Sequence, residues 1–389
     1  MIKSGKESFT SLLKLLFSLR LRNREKISLA LARDTDMAFH ISNSANRSNE
    51  TIGFQFNSLW QLKLTAYFIV FGISLVGNTL VIAVHAIVKN NNNINNRMKG
   101  ASNYFLVNMA VADLIVTVFN LPVELTTVVV GPTWLVSGLL GLALCKCYGF
   151  SWFQAVNVST GSLSAIAIDR FLLVFYPYKR IITRRAAKII IASIWLAASA
   201  LTLPLFAFYH IKIQNEVEIC YPKFDGSHST QVYLIVNFVA FVATPLAIMN
   251  ILYPALSVKL WLKKPVVNQM SQSHHRDEKM NRKVTVMLIM IVLTFALCWL
   301  PYWIGTFYCY TTKSEPVCLG YRFHFTTKFL GFSNSAFNPC IYFSFSESFR
   351  QGAKELCKRF HCVLLCRGAE VSPANNDSLP VNGTATSPN

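Results

Sequence analysis

The chain has 389 residues, of which 53% are hydrophobic and 14% charged, and its 37 Lys and Arg against 18 Asp and Glu give a formal charge of +19. A soluble domain carries about a quarter charged residues, so lipid is indicated as the main solvent. Nucleic acid is excluded as the reason for the positive balance, because the cations lie between apolar runs, as in membrane-protein loops, and not over one polar face.

Read from the N-terminus, residues 1–36 hold Lys3, Lys6, Lys14, Arg20, Arg22, Arg24, Lys26 and Arg33, a basic load at odds with an external segment. SLLKLLFSL makes a poor signal peptide, since Lys14 interrupts its apolar core and no small-residue cleavage site follows. The functional start is therefore expected near Met37. Residues 1–61 are expected to be a largely disordered extracellular segment, with glycosylation acceptors at Asn46 and Asn49.

Seven stretches then reach the roughly 20 apolar residues that a spanning helix needs: about 62–88, 102–130, 139–174, 187–209, 230–260, 284–310 and 324–345. They lack the two-residue alternation of barrel strands. The fold class is an all-α membrane protein, a seven-helix bundle over 62–345, with no internal repeat. The first, third and fifth connections carry Lys89, Arg97, Lys179, Arg184, Lys259 and Arg276 among others, while the second, fourth and sixth are poorer. Positive loops stay inside, which places the N-terminus outside and the C-terminus inside. Residues 346–360 read as a short amphipathic helix on the inner membrane surface, and 361–389 as a disordered cytoplasmic tail.

Cysteines follow this topology. Cys145 and Cys220 fall on the oxidising side, where a bridge can persist, and Cys309 and Cys318 form a second candidate pair. Cys357, Cys362 and Cys366 fall inside, just beyond the last span, where S-acylation fits and unmodified thiols are the plain alternative.

A charge at mid-membrane costs at least about 2.5–3.5 kcal/mol on insertion scales, so each polar group inside a span needs a reason. Asp113 lies near the middle of the second stretch, and Asn78, Ser159, Asn334, Ser335 and Asn338 bring amides and hydroxyls into the bundle. Such oxygens can hold a sodium ion, with Asp113, Ser159, Asn334 and Asn338 as the expected ligands. The structural alternative is a hydrogen-bonded cluster that only joins helices. Pro245, Pro301 and Pro339 each remove a backbone hydrogen bond, which sets hinges in the fifth, sixth and seventh helices.

Gly77-Asn78, LVNMAVADL, the spacing from Cys145 to Asp169-Arg170-Phe171, Trp195, Pro245 with Tyr253, Cys298-Trp299-Leu300-Pro301 and Asn338-Pro339-Cys340-Ile341-Tyr342 stand in one order over about 62–360. A lone Asp-Arg pair is an ordinary helix-end ion pair, but this ordered set resembles the rhodopsin-like G-protein-coupled receptors. The resemblance implies that Asp169 and Arg170 hold the resting state, and that Arg170 turns to a heterotrimeric G protein when the sixth helix swings out. It assigns the rest of the switch to Tyr253, Phe295, Trp299, Pro301, Asn338, Pro339 and Tyr342, and the G-protein contact to Arg170, Pro177 and Tyr178. Arrestin is the further inner partner it implies, and membrane lipids surround the bundle. Phe171 replaces the commoner tyrosine. Asn281 stands where many members have an acid, which leaves the second half of the resting clasp open and allows some ligand-free activity.

Retinal is excluded, because Phe332 stands near the place of the lysine that opsins need. Amines are excluded, because Trp152 stands where their receptors carry an aspartate. The peptide branch remains, of the RFamide-neuropeptide type. YHIKIQNEVEICYPKF alternates like a hairpin, and Glu216, Glu218 and Asp225 put acids around the mouth. The expected ligand is a cationic neuropeptide, an Arg-Phe-amide end being one such form, met by Glu124, Trp152, Glu218, Trp299, Tyr302 and Trp303. Glu124 is expected to take a ligand arginine, with Lys146 and Lys328 as the basic residues that could compete. The alternatives are a receptor for a lipid or other small molecule, which peptide displacement would separate, and a transporter or channel, which would want broken-helix repeats. His, Ser and acidic residues form no hydrolytic set, so no enzyme is expected, and no resident cofactor beyond the sodium ion.

Overall fold

Apolar runs as long as a bilayer is thick can satisfy their backbone in lipid only as helices or a closed barrel. The computed structural model, which describes residues 49–90, 100–176, 181–214, 217–223, 227–261, 272–311, 319–347 and 349–358, takes the helical solution throughout. In chain order the helices are α1 (Asn49–Asn90), α2 (Ala101–Val130), α3 (Gly138–Phe175), α4 (Arg184–Phe208), α5 (His228–Trp261), α6 (Gln272–Thr311) and α7 (Gly320–Phe345). A short α8 follows over 349–358.

Among the described residues, α1 to α6 are long and apolar enough to cross a membrane. With 26 residues α7 is about 39 Å long, enough to span as well. It is less apolar because Ser333, Asn334, Ser335 and Asn338 are buried against the other helices, not turned to lipid. Several helices overrun their expected bounds: α1 begins at Asn49 and α6 at Gln272. Counting apolar residues finds the part in lipid, whereas the hydrogen-bonded helix continues past it into water.

Prolines shape two helices. A π-turn occupies Val116–Asn120 in α2 and Val239–Ala243 in α5, in each case two residues before a proline, Pro122 or Pro245. Proline cannot donate and crowds the carbonyl four residues back, and a widened turn relieves both. Pro301 and Pro339 stay within α6 and α7. Gly77 lets α1 and α7 touch, since a Cβ there would fall 2.6 Å from Pro339 Cγ. Helices α2, α3 and α4 share one hydrogen-bonded triad: Trp195 Nε1 donates to Asn108 Oδ1 at 2.9 Å, and Asn108 Nδ2 donates to Ser162 Oγ at 2.9 Å.

Between α4 and α5 the chain makes an antiparallel hairpin of β1 (Tyr209–Gln214) and β2 (Val217–Pro222), in the register Ile211↔Cys220 and Ile213↔Glu218. This is the expected hairpin. It marks one end of the bundle, and Arg170 marks the other. Asn46, Pro177, Tyr178, Glu216, Asp225, Cys318, Cys362 and Cys366 lie outside the described residues, and Asn49 is the first residue of α1.

Candidate functional site

The hairpin is fixed over the bundle by a disulfide from Cys220 to Cys145 in α3. Its mouth side is set by Trp134, whose backbone N–H donates to the Glu218 carbonyl at 2.6 Å. Glu218 shares a strand face with Cys220, and its Oε2 is buried with no hydrogen-bond partner among the described residues. Tyr209 seats the hairpin against α3, where Gly149 leaves the space: a Cβ there would lie 2.2 Å from the tyrosine ring. Burial holds the Tyr209 phenol well above its ordinary range, so it stays neutral. Cys309 is also disulfide-bonded, and Cys147 is a free, exposed thiol.

Glu124 lies below the hairpin on the last turns of α2, with its side chain only 7% exposed. Its Oε1 accepts twice, from the Tyr148 hydroxyl of α3 at 2.6 Å and from Lys328 Nζ of α7 at 2.7 Å. The carboxylate thus has a protein cation of its own, and of the two competing lysines it is Lys328 that holds it. A charge so little hydrated needs such a partner.

Around this pair the wall is aromatic. Trp152 is buried and meets Trp299 edge-on at 5.6 Å and Phe332 at 4.1 Å. Trp299 leads on to Phe295 and Tyr302, and Tyr302 to Trp303. Four of the expected ligand residues, Trp152, Trp299, Tyr302 and Trp303, are therefore brought into one contiguous layer. Sequence reasoning missed its other half, in which Tyr67 of α1 packs edge-on against Phe325, Phe329 and Phe332 of α7. The spacing of those phenylalanines on α7 was the available signal.

Beneath the tryptophans is a cavity with room for about one water-sized body, lined by Asp113, Ser159, Phe295, Trp299, Asn334 and Ser335 among others. Asp113 Oδ2 accepts from Asn338 Nδ2 at 2.8 Å, and Asn78 Nδ2 donates to the Ser335 carbonyl at 2.9 Å. Three amide oxygens of this region, on Asn78, Asn334 and Asn338, are buried without a donor among the described residues. Unmatched oxygens beside a carboxylate are the donor set a hard monovalent cation needs, so the residues fit sodium.

At the other end Asp169 and Arg170 lie 3.7 Å apart. Ser102 of α2 joins them: its hydroxyl donates to Asp169 Oδ2 and accepts from Arg170 Nε at 2.9 Å. Tyr253 is buried on the facing part of α5, its hydroxyl without a hydrogen-bond partner among the described residues. The Tyr342 hydroxyl points to Met109 Sδ at 3.7 Å, and its ring stacks on Phe349 of α8 at 5.9 Å. The residues expected to form the switch thus fall into two layers, Phe295 and Trp299 by the cavity, and Arg170, Tyr253 and Tyr342 at the far end.

Comparison with known proteins places this geometry. Residues 77–342 match the profile of the 7 transmembrane receptor (rhodopsin family). The chain is 31% identical over 304 residues to the substance-P receptor of Aquarana catesbeiana, covering 76% of this chain and 71% of that one. It is 30% identical over 302 residues to the neuromedin-K receptor of Oryctolagus cuniculus, covering 76% and 61%. With the human substance-P receptor it shares 28% over 329 residues, 82% and 76% of the two chains.

Proposed function

The chain belongs to the rhodopsin family of seven-transmembrane receptors, and from that premise we propose that it is a plasma-membrane receptor which an extracellular neuropeptide activates. The family is one of receptors and not of enzymes. The hairpin end faces outward and the Arg170 end meets a heterotrimeric G protein, as the positive connections on that side support. Arrestin is its second inner partner. The observation that carries the reading is the disulfide-pinned hairpin over an aromatic layer, in a chain whose relatives are named for the peptides substance P and neuromedin K.

The ligand end that enters is cationic and amidated. Glu124 already pairs with Lys328, so a ligand arginine takes the place of Lys328 on the carboxylate, offering two parallel N–H bonds where an ammonium offers one. Glu218 supplies the acid at the lid. Trp152, Trp299, Tyr302 and Trp303 contact the aromatic part of the peptide and pass its presence to Phe295 and α6, which swings out about Pro301. Asp113, Ser159, Asn334 and Asn338 hold a sodium ion that favours the resting packing. Bound there, the ion supplies a positive charge to the buried carboxylate, and displacing it is one way for the agonist state to win. Asn46 and Asn49 carry glycans, and Cys357, Cys362 and Cys366 take acyl chains.

Screening amidated peptides, their free acids and Arg→citrulline analogues with calcium and cAMP readouts tests the proposal. An amidated Arg-containing peptide should respond best and lose potency as the acid or the citrulline form. Responses confined to lipids or small molecules would overturn it.

A further inference from the structure

The Arg170 end lacks one component that its family resemblance leads one to seek. Asn281 of α6 is neutral and cannot supply a carboxylate to Arg170, which is engaged instead by Asp169 and Ser102 on α3 and α2. Two residues further along, Lys283 Nζ makes an ion pair and hydrogen bond with Glu347 Oε1, at the junction of α7 and α8. We infer that Lys283 and Glu347 form a substitute clasp, which holds α6 against the α7–α8 junction in the resting receptor.

The junction is built to give such a contact purchase. Ser346 N–H donates to the Tyr342 carbonyl at 2.9 Å, and Arg350 N–H to the Ser346 carbonyl at 3.2 Å. Arg350 Nη1 donates to the Phe343 carbonyl at 3.1 Å and the Ser344 carbonyl at 2.5 Å, closing the last turn of α7. Phe349 is 1% exposed and stacks on Tyr342. Glu347 therefore stands on a fixed platform, one that moves when Tyr342 moves. The other half of the clasp rides on α6, the helix proposed to swing. The two side chains are 46% and 58% exposed. Water reaches both, so the clasp is weak and releasable, shifting a resting population by about 1.5- to 5-fold. That is the range in which a latch biases a receptor without locking it.

The inference rests on the proposed outward swing of α6 and needs no ligand. Spin labels on α4 and α6 at the Arg170 end, in the full-length chain in lipid nanodiscs, report the swing directly. Either charge reversal, Lys283→Glu or Glu347→Lys, should raise the ligand-free outward population about 1.5- to 5-fold, and the double reversal should restore it. Raising salt to about 1 M, where screening falls to about 3 Å, should reproduce the shift in the unaltered chain without any substitution. Distances unchanged by the reversals and by salt, or a shift that the double reversal leaves in place, would overturn the clasp. Adding G protein separates the two readings: if α6 fails to move even then, it is the swing that fails, whereas movement with G protein but none in the variants condemns the clasp alone.

Discussion

At the hairpin end a disulfide, Cys145–Cys220, ties the hairpin to α3, and an ion pair whose acid is 7% exposed, Glu124–Lys328, ties α2 to α7. At the Arg170 end the pair between helices, Lys283–Glu347, is 46% and 58% exposed, and Asp169–Arg170 lies within one helix at 3.7 Å. The chemistry is the same, a carboxylate with a cation, but access to water changes its worth. Removing one partner of a buried pair costs about 3–5 kcal/mol, because a charge is stranded, while an exposed pair contributes about 0.2–1 kcal/mol. Salt bridges that look alike therefore fasten one end and only bias the other. The buried pair resists a change of packing at its end, and the exposed pair resists one only weakly.

That contrast can be broken most readily at the buried pair. Lys328→Met strands Glu124 in an aromatic surround, and should lower the thermal stability of solubilised receptor by about 3–5 kcal/mol, with matching loss of surface protein. Glu124→Gln with Lys328→Met removes both charges and should recover most of that loss. A double variant as unstable as the single would show that the pair matters for shape and not for charge, and the contrast between the ends would lose its basis.

A smaller effect is expected midway between the ends. Asp113→Asn keeps the hydrogen-bonding outline around Asn338 and removes the charge. Surface expression should hold, while the dependence of agonist affinity on sodium should vanish. Unchanged sodium dependence, read from radioligand binding across a sodium series, would leave the cluster as a joint between helices and nothing more.

Much of this was legible in the sequence, for reasons that differ by feature. The spans showed because lipid demands long apolar runs, and the hairpin because YHIKIQ and VEICYP alternate. The family showed because its motifs come in one fixed order. What could not be read was where side chains on separate helices meet. Lys328 was one of two lysines in reach of Glu124, and the choice between them depends on how α2 and α7 are rotated across a separation of 204 residues. Ser102 reaches Asp169 and Arg170 only because α2 lies beside α3, and Lys283 gives no sign in the sequence of Glu347, 64 residues on. The π-turn before Pro245 was foreshadowed only as a hinge. Proline says that the ladder must break there, but not whether the helix bends or widens.

An extracellular peptide is proposed to change the Arg170 end while the hairpin end keeps its shape. The most direct test places one pair of spin labels across α2 and α7 near the hairpin, and a second across α3 and α6 near Arg170. Both distances are measured in nanodiscs before and after adding the active peptide from the amidated screen with G protein. The α3–α6 distance should lengthen, and the α2–α7 distance should stay within its resting width. Spreading of α2 from α7 with no change between α3 and α6 would contradict it.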